Sequence, residues 1–354
     1  MRAVVYRGIN DLRLEVLPVP HTRSDEILVR VAACGVCPTD IKKIQFGTVT
    51  PPRVFGHETA GTIVRVGARV RKLRLGERVA LHHHVPCLKC HACRHRAFAQ
   101  CRQYQRTGIT AGFEPAGGGY AEYVRVMPFV LPAVVPIPKR NSFFEGAMLE
   151  PVNTVLKAIN RLALLRGDIA LVVGQGPIGL MFTRLLALRG IKVIATDLLP
   201  ERLAIARKFG ARWTSSAREP ELAEKSARVA RGPGLDAAIV AAPVDAVVRE
   251  ALQLVRGAGQ VLLFAHTRRG SETAVDLSSI CVEEKALIGS YSADFTLQDE
   301  VARLVFSRRF DVRELITHRF RLEETARAID LAASPTPAAL KVIVSNAPSE
   351  SGTR

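Results

Sequence analysis

Four cysteines lie in one short stretch of the chain, with spacing that suits a metal ion. Thiolates with two residues between them can meet at one ion from a tight turn, and four thiolates form the closed tetrahedral shell that suits Zn²⁺. A disulfide pair or an iron–sulfur cluster are the alternatives, but such clusters usually require a following proline or different spacing. A closed site has no position for substrate. The stretch therefore predicts a structural zinc lobe over residues 85–103, with ligands Cys87, Cys90, Cys93 and Cys101.

A second group of possible ligands is scattered over the first part of the chain. Cys37 lies in the segment CGVCPTD, His57 and Glu58 follow a glycine, and Glu150 precedes Pro151. One thiolate, one imidazole and one carboxylate provide three ligands and leave a fourth position for water or an alcohol, as in catalytic zinc sites. Each residue alone is a weak indication, because a single cysteine is usually a small buried hydrophobe. Together they predict a catalytic zinc site.

A glycine-rich segment, GQGPIG, connects a predicted apolar strand over 169–173 to a predicted helix that runs to Leu188. In this context the glycines permit a tight turn, a close approach of the backbone to pyrophosphate, and close packing of helix on strand. The start of the helix offers amide donors and partial positive charge to phosphates. The predicted dinucleotide contacts are Gly174, Gly176, Pro177, Ile178, Gly179 and Asp197.

The residues at the end of the second strand of this region predict the choice of cofactor. Asp197, 18 residues after the last glycine, can accept hydrogen bonds from the adenosine ribose hydroxyls, and its charge repels a 2′-phosphate. Leu198 and Leu199 follow, where an Arg or Ser would favour the phosphate. NAD is therefore predicted in preference to NADP.

Taken in order, these motifs resemble the zinc-dependent medium-chain alcohol dehydrogenases. The resemblance runs from about Met1 to Val344. The Glu150–Pro151 pair resembles the polyol (sorbitol-like) and threonine dehydrogenase branches, whereas many alcohol dehydrogenases have a cysteine at this position. It implies oxidation of a secondary alcohol, such as a polyol, vicinal diol or sugar derivative, to a ketone by hydride transfer to NAD. Threonine-type 3-dehydrogenation is the alternative. The motifs are CGVCPTD, FGHETAGTIVRVG, the four-cysteine stretch, GGGYAEYV, LEPVNTVLKA and VVGQGPIGL.

The resemblance also implies how the catalytic zinc is held. Cys37 and His57 bind it, with Glu150 or a water molecule completing the ligands, and the ion acts as a Lewis acid on the substrate alcohol. Asp40 is expected to orient His57. Glu58 is expected either to support the ligands or to replace one of them when the fourth ligand exchanges. Two zinc ions per chain are expected, one catalytic and one structural.

Further roles follow from the same resemblance. Thr39, two residues after the cysteine ligand, is placed to take the alcohol proton. Many relatives continue this relay with a histidine at the position that Lys42 occupies here, so the relay in this chain is expected to end at Lys42 or in solvent. Lys42 and Lys43 would also favour a substrate with a phosphate or carboxylate, although a solvated helix face is the simpler interpretation. Arg202 and Lys341 match positions that contact ribose and pyrophosphate; ordinary surface cations are the alternative.

Three consecutive histidines, His82, His83 and His84, precede the zinc lobe. In a strand, successive side chains point to opposite faces, so at most two of the three share a face. We expect a pocket-lining or structural role for them and no third metal site.

The pattern of the chain predicts an α/β protein with two domains. Short strands broken by turns over 1–154 fit the irregular GroES-like β-barrel catalytic domain that the resemblance implies. Alternating strands and helices over 155–290 predict a doubly wound, Rossmann-type parallel sheet. Residues 291–354 are expected to return to the catalytic domain and to end in a polar C-terminal tail.

Composition narrows the remaining possibilities. The chain has 354 residues and a formal charge of +17, but its basic residues are spread over every segment, so a nucleic-acid-binding zinc ribbon is a remote alternative. No apolar run reaches the roughly 18 residues of a membrane span, and the first ten residues do not resemble a signal peptide. Cysteines used for metal predict a reducing compartment, the cytoplasm. The resemblance implies a homodimer or homotetramer.

Overall fold

The structure, a computed structural model, describes residues 1–103, 108–114, 117–218, 222–230, 232–265, 270, 272–334 and 336–346. It divides into two compact units, the first formed by Met1–Asn153 with Ala293–Arg354 and the second by Thr154–Ser292. Most of the predicted polar tail, residues 347–354, lies outside the described residues.

The first unit contains most of the short strands. Its elements before the second unit are β1 (Arg2–Gly8), β2 (Asp11–Val16), β3 (Ile27–Gly35), α1 (Pro38–Phe46), β4 (Arg53–Val54), β5 (Glu58–Val66), β6 (Arg78–Leu81), α2 (His91–Arg94), β7 (Ile109–Thr110), β8 (Tyr123–Val126), β9 (Val135–Pro136), α3 (Phe143–Ala147) and the start of α4 (Leu149–Ile159).

The second unit alternates strands and helices. Its elements are β10 (Ile169–Val173), α5 (Pro177–Leu188), β11 (Lys192–Asp197), α6 (Pro200–Lys208), β12 (Ala211–Ser216), α7 (Leu222–Ala230), β13 (Leu235–Val240), α8 (Ala246–Leu254), β14 (Val255–Leu263), α9 (Leu277–Val282) and β15 (Ala286–Gly289). The chain then completes the first unit with α10 (Gln298–Phe306), β16 (Ile316–Arg321), α11 (Thr325–Ala333) and β17 (Lys341–Ser345).

One long sheet of the first unit brings distant segments together. Its strand order is β16-β17-β3-β5-β6-β9, with β8 also paired to β3. Strand β3 pairs antiparallel with β5, so that Gly35 lies opposite Glu58, and β17 pairs with the other edge of β3. Inward-facing β-branched residues such as Ile27, Val29 and Ile63 fill the interior. This register places the end of β3 beside the start of β5.

The second unit has a six-stranded sheet in the order β12-β11-β10-β13-β14-β15. All of its strand pairs are parallel, and the central strand β10 is buried along its whole length. A parallel sheet is covered on both faces, which explains the continuous apolar run of that strand. The predicted α/β fold, with a doubly wound sheet and an irregular β-domain, is confirmed.

One local prediction in the first unit needs correction. The histidines are not in a strand, because β6 ends at Leu81 and residues 82–84 form a loop. The N-cap of helix α1 is Cys37, and Pro38 takes the first helical position, where its missing amide needs no partner.

Candidate functional site

The four cysteines of the predicted zinc lobe converge. Their sulfur atoms all lie within 4.8 Å of one another, with Cys93 Sγ 3.9 Å from Cys87 Sγ and 3.5 Å from Cys90 Sγ. Four sulfurs bound to zinc at about 2.3 Å are separated by about 3.8 Å, so the observed spacing fits a tetrahedral ion. The amides of Lys89 and Cys90 lower the pKa of the Cys87 thiol to about 6, whereas burial and the hydrogen bond of Cys90 raise the pKa of the Cys93 thiol to about 12. A bound metal would favour the thiolate form of all four.

The lobe also has a small apolar base. Phe98 and Ala99 are buried beside Cys93 and Cys101, and the ring of Phe98 meets Phe295 edge-on with centroids 5.3 Å apart. The metal-binding loop has little secondary structure, and its helix α2 is only four residues long. The bound ion is therefore expected to carry much of the local stability.

A second cluster of possible ligands lies at the junction of β3, α1 and β5. The ligand atoms of Cys37, His57 and Glu58 all lie within 4.8 Å of one another. Cys37 occupies the N-cap of α1, two residues after β3, and Glu58 is the first residue of β5. The β3–β5 register therefore brings together residues that are 20 positions apart in the chain.

Asp40 holds the imidazole of His57. Asp40 Oδ1 lies 3.2 Å from His57 Nδ1, and both side chains are buried. Burial alone would raise the pKa of Asp40, but the charge and hydrogen bond of His57 outweigh burial and lower it. An Nδ1–H that donates to a carboxylate leaves the other ring nitrogen, Nε2, for a metal. This arrangement has the geometry predicted for Asp40.

Glu58 forms a buried ion pair with Lys341. The ammonium nitrogen lies 2.7 and 2.5 Å from the two carboxylate oxygens, and it also donates to the carbonyl oxygen of Val36 at 2.9 Å. Gly35 makes room for the pair, because a Cβ atom there would lie 1.8 Å from Glu58 Oε2. Burial lowers the pKa of Lys341, but Glu58 and the Cys37 thiolate outweigh this and raise it. The structure thus places Lys341 beside the candidate catalytic ligands, and its predicted contact with pyrophosphate stays a prediction.

Glu150, in the first turn of α4, belongs to a further set with His57 and His83, whose ligand atoms also lie within 4.8 Å of one another. All three side chains are buried. Burial raises the pKa of Glu150 to about 7, and the nearby Glu58 acts in the same direction. A cation beside the carboxyl group would favour its charged form. The sulfur, nitrogen and oxygen donors at this junction fit a zinc ion.

His83, for which the sequence predicted only a pocket-lining or structural role, is a possible ligand. Its ring centroid lies 4.7 Å from that of His57, and burial lowers its pKa well below the usual value. A neutral imidazole is the form that binds metals. The three consecutive histidines before the lobe were the sequence feature that indicated a possible ligand. Because the prediction placed them in a strand, they offered no reason to expect the His83 side chain beside His57.

The two predicted proton-transfer residues lie on α1. Thr39 is half-buried in the first turn of the helix, two residues after Cys37. Lys42 is also half-buried, and burial lowers its pKa while the Cys37 thiolate opposes this change. Both residues stay candidates for the relay.

The glycine-rich turn of the second unit has the predicted form. Gly176 is the N-cap of α5, and Pro177 opens the helix. A Cβ atom at Gly179 would lie 1.7 Å from the carbonyl oxygen of Gly174, so only glycine permits this packing of helix on strand. A Cβ atom at Gly176 would meet nothing closer than Arg202, 3.9 Å away, which leaves this position open to a ligand.

Asp197, at the end of β11, is tied to the same turn. Its carboxylate accepts hydrogen bonds from the backbone amides of Gln175 at 2.6 Å and Leu199 at 2.9 Å, and Arg202 lies 4.0 Å away. The carboxylate therefore has a fixed position beside the glycine-rich turn, with Arg202 next to it, and the contact of both residues with ribose stays a prediction.

Comparisons with known proteins support this interpretation of both units. Residues 23–139 match the family model described as an alcohol dehydrogenase GroES-like domain, and residues 177–307 match the model described as a zinc-binding dehydrogenase. A sorbitol dehydrogenase from Bombyx mori is 32% identical over 352 residues, which cover 97% of each chain. The chain belongs to the zinc-dependent medium-chain alcohol dehydrogenases.

Solved structures of this family share the fold over almost the full length. A 2R,3R-butanediol dehydrogenase from Bacillus subtilis superposes with a TM-score of 0.85 at 25% identity, covering 98% of this chain and 99% of its own. A zinc-binding dehydrogenase from Sinorhizobium meliloti 1021, bound to NADP, has a TM-score of 0.87 at 26% identity and coverages of 97% and 98%.

Membership in the family establishes the general chemistry. This alcohol dehydrogenase is an oxidoreductase that uses zinc and a nicotinamide cofactor on a small-molecule substrate. The alternative of a basic zinc-ribbon protein is not favoured, because the family models match both units. Among the helices of the described residues, none has the length and apolarity needed to span a membrane.

Proposed function

We propose that this enzyme oxidises a secondary alcohol with a neighbouring hydroxyl group to a ketone, with NAD as the hydride acceptor. The substrate class is a polyol, a vicinal diol or a sugar derivative. The observation that carries the proposal is the buried carboxylate of Glu150 within 4.8 Å of the ligand atom of His57. Oxygen donors suit a harder, more readily exchanged metal site, which favours a substrate that offers two oxygens over a simple primary alcohol.

The comparisons support the same substrate class. The relative from Bombyx mori is named a sorbitol dehydrogenase, and the structural neighbour from Bacillus subtilis acts, by its name, on 2R,3R-butanediol. Sorbitol and this diol both carry adjacent hydroxyl groups on secondary carbons. Threonine-type dehydrogenation has no comparable support among these proteins and serves as an outcome of the test.

The residues of the first unit would divide the work as follows. Cys37, His57 and Glu150 hold the catalytic zinc, and the ion, when bound, supplies a Lewis acid that polarises the substrate hydroxyl. Asp40 fixes the orientation of His57 through the contact at 3.2 Å. Thr39 accepts the proton of the reacting hydroxyl and passes it towards Lys42 or solvent. A bound nicotinamide cofactor would supply the hydride acceptor, so that one proton, taken by Thr39, and one hydride would account for the oxidation.

The proposal includes NAD as the preferred cofactor, although one structural neighbour binds NADP. The support is the fixed, buried carboxylate of Asp197 beside the glycine-rich turn, where its charge repels a 2′-phosphate. It also includes two zinc ions per chain. The support is the pair of separate ligand clusters, one of four cysteines and one around His57.

We also propose a homodimer or homotetramer in a reducing compartment such as the cytoplasm. The oligomeric state follows from the family, and the compartment follows from cysteines of the described residues that form no disulfide and cluster as metal ligands. Sedimentation analysis of the purified protein tests the oligomeric state.

The substrate is tested by following NADH formation with a panel of polyols, vicinal diols, sugar phosphates, threonine and ethanol. We expect the highest kcat/KM with a polyol or diol, and ethanol at least about a hundredfold lower, equivalent to about 2.7 kcal/mol of transition-state binding. A zinc-loaded enzyme that prefers ethanol, or that oxidises threonine and no polyol, contradicts the substrate assignment but leaves the family unaffected.

A further inference from the structure

His83 lies beside the proposed catalytic zinc ligands but has no role in the mechanism above. Together with His57 and Glu150 it forms a set of three buried ligand atoms within 4.8 Å of one another. The three residues come from separate elements: the loop after β6, the residue before β5, and the first turn of α4. Two imidazoles and one carboxylate form a known type of catalytic zinc site that needs no thiolate.

The surroundings of His83 point to a bound ligand. The residue is 6% exposed, and its Nδ1 atom is buried without a hydrogen-bond partner in the described part of the chain. A buried polar atom without a partner costs about 1–3 kcal/mol, so such atoms are expected to have a use. Its ring centroid lies 4.7 Å from that of His57, with the two rings tilted by 38°, and the ligand atoms of both residues belong to the same possible metal-binding set.

The neighbouring histidines provide a comparison within the same loop. His82 precedes His83 and His84 follows it, and ring nitrogens of all three are buried, yet neither neighbour belongs to a possible metal-ligand set among the described residues. The ring of His84 lies against that of His83, with centroids 4.0 Å apart and the planes tilted by 51°, so the two residues share a local environment. Position, and not histidine content, distinguishes His83.

The state of Glu58 favours this second set. Its carboxylate is held by Lys341 through two contacts of 2.5 and 2.7 Å, and the ion pair is buried. A carboxylate that is already neutralised by an ammonium group is a weaker metal donor. The carboxyl group of Glu150 lies with the two imidazoles.

We propose that His83 is a further ligand of the catalytic metal, so that His57, His83 and Glu150 can hold the ion when Cys37 is not bound to it. The inference rests on the proposed catalytic zinc. Because His57 Nδ1 faces Asp40, His57 has one ring nitrogen left for a metal. The two sets that share His57 therefore describe two positions of one ion, not two ions. Small side-chain rotations exchange one position for the other.

The test counts zinc per chain in the full-length protein after dialysis against a chelator. Replacing Cys37 by serine removes the thiolate, and we expect Cys37→Ser to retain two zinc ions, one in the lobe and one on the His83 set. Adding His83→Gln should reduce the count to one. The matched control, Cys37→Ser with His84→Gln, should keep two. Circular dichroism and the melting temperature identify any variant that fails to fold.

A second measurement uses the intact thiolate. In His83→Gln alone, a chelator should remove zinc from the catalytic site about tenfold faster than in His84→Gln. Tenfold is the lower end of the roughly 10–100-fold effect of removing residues that support metal ligands. With Co²⁺ in the catalytic site of Cys37→Ser, the visible d–d absorption should persist without a thiolate charge-transfer band, and should change when His83 is replaced.

Two results overturn the proposal: loss of the second zinc from Cys37→Ser while His83 is intact, or equal zinc release from His83→Gln and His84→Gln. Failure of the proposed function is distinguishable, because it is measured on the wild type. A wild type with two zinc ions that oxidises no polyol contradicts the substrate class alone. A wild type with zinc only in the lobe contradicts the catalytic zinc before any variant is made.

Discussion

The zinc lobe takes all of its ligands from the segment between Cys87 and Cys101, whereas the ligands of the catalytic set come from three separated parts of the chain. The lobe has little secondary structure of its own, so its ligands converge only if a metal or equivalent contacts hold the loop. The catalytic ligands are positioned by the β3–β5 pairing and by α4. The zinc of the lobe is therefore expected to stabilise the fold, whereas the fold itself positions the ligands of the catalytic zinc.

The largest expected effect is on catalysis. Cys37→Ser removes a direct zinc ligand and should therefore reduce kcat/KM by more than about 100-fold. Removal of a residue that only hydrogen-bonds to a metal ligand typically costs about 10–100-fold. The melting temperature should stay near that of the wild type, since the sheet that carries the site is intact. Steady-state kinetics and thermal unfolding check both parts, with the exposed Cys281→Ser as the matched control. Substantial unfolding of Cys37→Ser would remove the contrast with the lobe.

The opposite pattern is expected in the lobe. Cys93→Ser breaks the four-thiolate shell and should lower the free energy of unfolding by about 3–5 kcal/mol. This is a fraction of the roughly 10–16 kcal/mol with which zinc-finger peptides bind zinc. At about 2–4 °C per kcal/mol, the melting temperature should fall by about 10 °C or more. Calorimetry with metal analysis measures both changes. An unchanged melting temperature after loss of one zinc would show that the lobe does not depend on its metal.

The buried pair of Glu58 and Lys341 allows a test of how the fold prepares the catalytic site. Lys341→Met leaves an uncompensated buried carboxylate, which should cost about 3–5 kcal/mol of unfolding free energy. The double variant with Glu58→Gln should recover part of this loss, because the unpaired charge is gone. Chemical denaturation of the wild type, both single variants and the double variant gives the coupling energy. Additive effects would contradict a direct pair.

The smallest expected effect concerns cofactor choice in the second unit. Asp197→Ser should raise the ratio of kcat/KM with NADP to that with NAD by about tenfold, equivalent to about 1.4 kcal/mol. Asp197 also accepts two backbone amide bonds, so Asp197→Asn is the control that removes the charge and retains an acceptor. A wild type that already prefers NADP contradicts the interpretation of this position.

The comparison also explains what the sequence could predict. The lobe and the glycine-rich turn are local, so their ligands and contacts are visible as spacing, and strand β10 is recognisable from its continuous apolar run. Strand β16, with the sequence ITHRFR, alternates half-buried and exposed residues of mixed character, and no strand was predicted there.

The missed contacts of the catalytic site have the same origin. Lys341 reaches Glu58 across 283 positions of the chain because β17 pairs with β3. His83 reaches His57 because β6 ends one residue before the histidines and the loop turns towards the site. Neither contact leaves a periodic or spaced signal in the sequence, since both depend on which strands pair in the folded sheet.

The central claim, that two metal sites of different function share one unit, is tested most directly by metal analysis of the active wild type with Cys37→Ser and Cys93→Ser. The account predicts two zinc ions per chain in the wild type, loss of activity without loss of thermal stability in Cys37→Ser, and loss of thermal stability together with one zinc ion in Cys93→Ser. A fully active wild type with one zinc ion or none would contradict it.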